Sequence, residues 1–150
     1  MDTRLGGNRG FWIVMIPIGV ACVVLVSLIL LNRPVAERAS EVTARQNLRH
    51  AMDAARQIER EHGTFLAATK LELKAIASDL LFIDPDEASN APEVVSVYAS
   101  DTAWAAANRA DTGTCYYVRM GSDAPTTFGT GADCTGVAAL GAAATAWPGL

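Results

Sequence analysis

The stretch from Val35 to His62, VAERASEVTARQNLRHAMDAARQIEREH, decides the fold because it predicts a long amphipathic helix. It is rich in alanine, arginine, glutamate and glutamine, which are mostly good helix formers. Its apolar residues recur at intervals of three or four and form one stripe: Ala44, Leu48, Ala51, Met52, Ala55 and Ile58. This stripe predicts a helix that packs on its own domain, and Gly63 is placed to end it.

The first part of the same helix carries a second apolar stripe, formed by Val35, Ala39 and Val42. At 100° per residue, this stripe falls on roughly the opposite side of the helix from the first. A helix that changes its apolar face along its length has two partners. We therefore expect the second stripe to face lipid or other chains.

The segment before this helix, residues 11–31, is an uncharged apolar run of membrane length. A helix rising about 1.5 Å per residue needs roughly 20 residues to cross the hydrocarbon core of a bilayer. The run is too long for a cleaved secretory signal, and no small-x-small cleavage site follows it. The sequence therefore predicts a retained transmembrane helix over residues 11–31, continued by the amphipathic helix over residues 32–63.

Residues 64–150 predict a small α+β domain. A capping box at Thr69–Glu72 opens a short helix that ends near Ser78. The other predicted elements are strands at Val94–Ala99 and Thr114–Met120, a segment at Thr102–Asn108 that fits helix or strand, a loop at Gly121–Gly131 and a short helix within Val137–Ala146. Hairpin-scale connections favour antiparallel pairing. The predicted fold is a long N-terminal helix packed on a small antiparallel sheet, with a C-terminal loop closed by a disulfide.

Cys115 and Cys134 are the only cysteines outside the apolar run. Each stands alone, so their spacing fits neither a zinc site nor a redox motif. A structural disulfide is favoured over two unpaired thiols. A disulfide needs an oxidising compartment, which places the C-terminal domain outside the cytoplasm and the N-terminus inside.

Four features along the chain resemble the type IV pilin family, which includes the type II secretion pseudopilins. The basic segment of residues 1–10 ends in Gly10 directly before Phe11 and the apolar run. That run continues into a helix ending near the stretch REHGTF, residues 60–65. The stretch GTCYYV, residues 113–118, is followed by Cys134, as in the disulfide-closed sheet of many such subunits.

The resemblance implies a structural subunit rather than an enzyme, with no cofactor. Residues 1–10 would be a cytoplasmic leader that a prepilin peptidase removes between Gly10 and Phe11. The mature chain would be a single-pass protein of the bacterial inner membrane, assembling with copies of itself or with other pilin-like subunits into a type IV pilus or secretion filament. Val35, Ala39 and Val42 would then pack between subunits.

Met15 departs from the family pattern, since family precursors usually carry a glutamate at this position, the fifth residue after the cleavage point. In the family, that carboxylate neutralises the amino terminus of a neighbouring subunit within the membrane. Two interpretations follow. The chain is a minor subunit, or it is an anchored protein that does not polymerise and carries an extracytoplasmic binding domain.

Other function classes find little support in the sequence. The net charge of −4 argues against nucleic-acid binding. His50 and His62 lie about 120° apart on a helix, which excludes a metal pair at the i, i+4 spacing. No catalytic constellation is visible, and no metal site is predicted.

Two further clusters have a structural and a binding interpretation. The Asp84, Asp86 and Glu87 cluster could bind calcium, but it lacks the spacing of an EF-hand loop, which favours a solvated acidic loop. Aromatic side chains that could stack on a ligand are more often found in the core, and this is what we expect of them: Trp104, Tyr116 and Tyr117.

Overall fold

The long helix α1, Arg9–His62, is the first element of the computed structural model, which describes the backbone of residues 9–147 and the side chains of residues 35–147. Two shorter helices, α2 (Lys70–Ile76) and α3 (Gly136–Ala139), and a 3₁₀ turn (Phe65–Ala67) follow. The strands are β1 (Leu81–Ile83), β2 (Val94–Ala99), β3 (Ala103–Arg109), β4 (Cys115–Gly121) and β5 (Ala124–Gly131). The fold considered below is that of the unit beginning at Glu37.

The first predicted stripe of α1 is the face that packs on the sheet. Its members Leu48, Ala51 and Ala55 are each 0% exposed, and Met52 is partly buried against the same core. The helix ends where predicted, because Gly63 takes a positive φ of 73° and its N–H donates to the carbonyl of Glu59 at 2.7 Å. An L-amino acid with a side chain rarely adopts this conformation, which explains the glycine.

Two polar side chains fasten α1 to the loops of the domain. The amide of Asn47 donates to the carbonyl of Pro92 at 2.6 Å, and the hydroxyl of Ser40 accepts from the N–H of Asp111 at 2.7 Å. Both bonds join residues distant in sequence, so they fix how the helix lies on the sheet.

The sheet has five strands in the order β1-β2-β3-β4-β5, and it is mixed rather than antiparallel. The prediction of antiparallel pairing is correct for β2 to β5. It is wrong for β1, which pairs parallel to β2 with Leu81 opposite Val94. Residues 84–93 bring the chain back to the end of the sheet at which β1 begins, so β2 runs in the same direction as β1.

The structure confirms some of the other predicted elements of the domain and corrects the rest. Val94–Ala99 is a strand with the predicted bounds, and Thr69 caps α2 by accepting a hydrogen bond from the N–H of Glu72. The predicted loop at Gly121–Gly131 is wrong, because most of it is strand β5, paired with β4. The ambiguous segment at Thr102–Asn108 is largely strand, and α3, Gly136–Ala139, covers only the first residues of the helix predicted within Val137–Ala146.

The two faces of the sheet are covered by different parts of the chain. Side chains including Val95, Trp104 and Val118 lie in the core beneath α1. Tyr117 and the two cysteines belong to a second cluster, which contains buried alanines of α3 and of the segment after it. Residues 132–142 therefore form a cover for the face opposite α1, whereas Trp147 belongs to the core on the α1 side.

The predicted leader and membrane segment, residues 1–10 and 11–31, lie outside the residues whose side chains the structure describes, and so do Gly10 and Phe11. Within the part of the chain that is described, no helix combines the length and apolarity needed to cross a bilayer.

Candidate functional site

The residues predicted to pack between subunits lie on the outer surface of α1. Val35 is 67% exposed, Val42 is 45% exposed, and Ala39 is exposed as well. Ala39 and Val42 are available to another molecule, because no side chain among residues 37–147 buries them. Whether another chain occupies them stays a prediction.

A row of arginines runs along α1 next to Val42. Arg45, Arg49 and Arg56 are spaced by four and seven residues, which places them on one side of the helix. We call the surface formed by Val42 and these three arginines the α1 flank. Among the residues described, none of the three arginines has a carboxylate within ion-pair distance, and the ion pairs found are His50–Asp79 and Lys70–Asp84.

The arginines of the α1 flank are held by contacts with the sheet and the C-terminal segment. The guanidinium of Arg45 lies 5.4 Å from the centroid of the Tyr116 ring, and that of Arg49 lies 5.3 Å from the Trp147 ring. Arg56 donates from Nη2 to the hydroxyl of Thr126 at 2.6 Å. Stacking of this kind stabilises by about 0.5–1 kcal/mol at exposed sites and leaves the N–H groups at the guanidinium edge able to donate.

A second exposed surface lies beside β1. Leu66, Leu71 and Leu81 are 56%, 77% and 53% exposed, which makes them the large apolar side chains that this part of the domain leaves open to solvent. We call the surface formed by these three leucines the α2–β1 edge. A groove in it is lined by Thr69, Lys70, Leu71, Lys74, Leu81 and Phe82, and Leu66 lines a neighbouring groove that shares Thr69 and Lys70 with the first.

Both lysines of this groove are engaged within their own chain. Lys70 pairs with Asp84 at 2.8 Å, and Lys74 donates to the carbonyls of Ser78 and Leu80, each at 2.7 Å. These contacts position the lysines along the groove and orient their charge towards their own backbone and carboxylate. The apolar surface between them is left free.

The predicted disulfide is confirmed, with Cα atoms of Cys115 and Cys134 5.3 Å apart. Next to it, the hydroxyl of Tyr117 donates to the carbonyl of Asp133, and the indole N–H of Trp147 donates to the carbonyl of Tyr117 at 2.9 Å. The rings of Trp147 and Phe128 lie 4.5 Å apart. The disulfide, Tyr117 and Trp147 together tie the C-terminal segment to β4 and β5.

The predicted core role of the aromatic residues is confirmed. Trp104 is 0% exposed, Tyr116 is 4% exposed and Tyr117 is 8% exposed, which leaves none of them open to a stacking ligand. Burial raises the pKa of Tyr117, with a smaller contribution from the Asp133 carboxylate. Burial likewise raises the pKa of Tyr116, where Glu41 adds to the effect.

The acidic cluster and the histidines do not come together into a metal site. Asp84 is paired with Lys70, and His50 lies 3.4 Å from Asp79 on the exposed surface of the domain. Among the residues that are described, no three potential ligands lie close enough to hold a metal ion.

Neither the α1 flank nor the α2–β1 edge was predicted from the sequence. The spacing of Arg45, Arg49 and Arg56 is a signal that could have found the first, since it places three like charges on one side of a helix. No comparable signal marks the second, because its leucines come from three separate elements. Comparison with protein-family models, with curated proteins and with solved structures finds no match to this chain.

Proposed function

We propose that the chain is a membrane-inserted structural subunit of the pilin-like or pseudopilin-like type. The observation that carries the proposal is the different burial of the two apolar stripes of α1. One side of the helix is buried on the sheet through Leu48 and Ala51, whereas Ala39 and Val42 are exposed on another side. A helix that needed only its own domain would have no use for a second apolar stripe.

The proposed processing, membrane insertion and assembly of the subunit follow from the sequence features on either side of this helix. A prepilin peptidase removes residues 1–10, after which Phe11 is the first residue. Residues 11–31 anchor the chain in the bacterial inner membrane, with the disulfide-containing domain outside the cytoplasm. Copies of the chain, or other pilin-like subunits, then pack through their helices into a pilus or secretion filament.

The experiment that tests this proposal is the intact mass of the protein extracted from membranes. We expect the mass of a chain that starts at Phe11. A matched control carries Gly10→Val, which alters the proposed cleavage point and leaves the domain untouched, and it should keep residues 1–10. A wild-type chain that still starts at Met1 would contradict the proposal.

The alternative function is that of an anchored protein that does not polymerise and binds a partner through its outer domain. Met15 favours this alternative, because the position lacks the carboxylate that guides assembly in the family. The substitution Met15→Glu distinguishes between the two proposed functions. If position 15 is a weakened assembly determinant, incorporation into filaments should increase, and an unchanged level would favour the anchored protein.

A further inference from the structure

The α1 flank and the α2–β1 edge lie at opposite ends of the same sheet. Contacts with Tyr116 and Thr126 place the flank beside β4 and β5, and β5 is one of the two outer strands. The edge lies beside β1, which is the other outer strand. The two surfaces therefore cannot meet within one copy of the chain.

The two surfaces are complementary in charge and both include exposed apolar side chains. The flank presents three arginines along the helix from Val42, and with Asp53 included residues 42–56 carry a net charge of +2. The segment of residues 66–87, which forms the edge, carries two lysines and five carboxylates, a net charge of −3. Both lysines are occupied within the chain, whereas Glu72, Asp86 and Glu87 are exposed and make no ion pair among the residues described.

We propose that the α1 flank of one copy binds the α2–β1 edge of a second copy. Arginine suits this role because its planar guanidinium donates two parallel hydrogen bonds to a carboxylate. Val42 would lie against the exposed leucines of the partner. A contact between two different surfaces is heterologous and can repeat without limit, as a filament requires. The inference rests on the proposed function, and it adds the surface that meets Val42.

The first test is photocrosslinking in the full chain in its own membrane. Benzoylphenylalanine is introduced in place of Leu81, and in place of Ala143 as the control. Ala143 is also exposed, but it lies after α3, and its neighbour Ala144 pairs with Phe128 of β5. We expect the Leu81 probe to give a dimer of the chain, crosslinked to a peptide between Val42 and Arg56. Adducts to anionic lipid, to a different protein, or between two Leu81 regions would each overturn the proposal.

The second test reverses charges and then restores them. The double substitution Arg45→Glu with Arg49→Glu should lower the adduct yield at least about tenfold, because it replaces attraction by repulsion across the contact. A probe-carrying copy with Asp86→Arg and Glu87→Arg should recover the adduct when it is co-expressed with that variant. Recovery shows that the reversed chain folds, and a yield that does not respond to either change would overturn the proposal.

The intact-mass experiment separates this inference from the proposed function. A chain that starts at Phe11 and assembles, but gives no adduct, overturns the contact alone. A chain that starts at Met1 and still gives the adduct overturns the pilin-like function and leaves the contact between copies standing.

Discussion

The backbone N–H of Gly136 donates a hydrogen bond of 2.8 Å to the hydroxyl of Ser96, which joins the start of α3 to the middle of β2. A Cβ atom on Gly136 would lie 2.8 Å from the carbonyl carbon of Val97 and from the nitrogen of Tyr98. Only glycine allows this approach. The same serine hydroxyl donates to the carbonyl of Asp84 at 2.9 Å, so one side chain connects the C-terminal cover with the segment after β1.

Two substitutions at this contact between α3 and β2 should lower the stability of the domain. Gly136→Ala should lower the free energy of unfolding by about 1–3 kcal/mol, because the added methyl overpacks a site closed by backbone. Ser96→Ala should cost about 1–3 kcal/mol, because it leaves a buried N–H without an acceptor. Urea unfolding of the detergent-solubilised chain, followed by tryptophan fluorescence, measures both. Gly141→Ala is the control, since its Cβ would meet its nearest neighbour at 3.4 Å. A Gly136→Ala variant as stable as the wild type would contradict this account of the contact.

The disulfide should supply a large part of the stability of the domain. Cys115 and Cys134 are 19 residues apart in sequence, and closing a loop of similar size stabilises by about 3 kcal/mol in the chain-entropy model. The double variant Cys115→Ala with Cys134→Ala should therefore unfold at a lower urea concentration than the oxidised wild type. Wild-type protein treated with dithiothreitol should move towards the same midpoint. Identical unfolding curves with and without reductant would show that the bond contributes nothing.

Substitutions in the two apolar stripes of α1 should differ sharply in their effect on the free energy of unfolding. Leu48 is 0% exposed, so Leu48→Ala should cost about 2–5 kcal/mol through lost burial and a cavity. Val42 is 45% exposed, and Val42→Ala should change stability by less than about 0.5 kcal/mol. If Val42→Ala unfolds as easily as Leu48→Ala, the second stripe belongs to the domain core and is not a surface for a partner.

The sequence predicts α1 well because the burial of a helix repeats every three or four residues and can be read locally. Strand pairing depends on residues far apart, and here the prediction was weaker. β1 has only three residues and shows no alternation. β5 is a half-exposed edge strand in which five of eight residues are threonine or glycine, so its composition resembles that of a loop. Neither strand can be recognised before its neighbour is known.

The two candidate surfaces also depend on contacts between residues far apart in the sequence, so they could not be fully predicted from it. The spacing of Arg45, Arg49 and Arg56 can be read from the sequence, but their partners on β4, β5 and the C-terminal segment cannot. The leucines of the α2–β1 edge come from a 3₁₀ turn, a helix and a strand. The fold alone brings them onto one surface.

The raised pKa of Tyr117 predicts a loss of stability at alkaline pH. Burial raises the pKa of this phenol in the folded chain above its ordinary value of 10.0, with Asp133 adding to the effect. Above about pH 10 the unfolded chain releases this proton while the folded chain holds it, so the free energy of unfolding falls as pH rises. The contribution is fully present below that pH and is lost as pH rises through the higher pKa of the folded chain.

Tyr117→Phe should flatten this alkaline dependence, because phenylalanine has no proton to release. Near neutral pH the variant should be less stable by about 1 kcal/mol, since it loses the hydrogen bond to the carbonyl of Asp133. Urea unfolding at a series of pH values between about 8 and 11 measures both effects by comparison with the wild type. Tyr116→Phe should flatten the dependence in the same direction, because burial also raises the pKa of Tyr116. An alkaline slope that both variants leave unchanged would mean that neither phenol is held protonated by the fold.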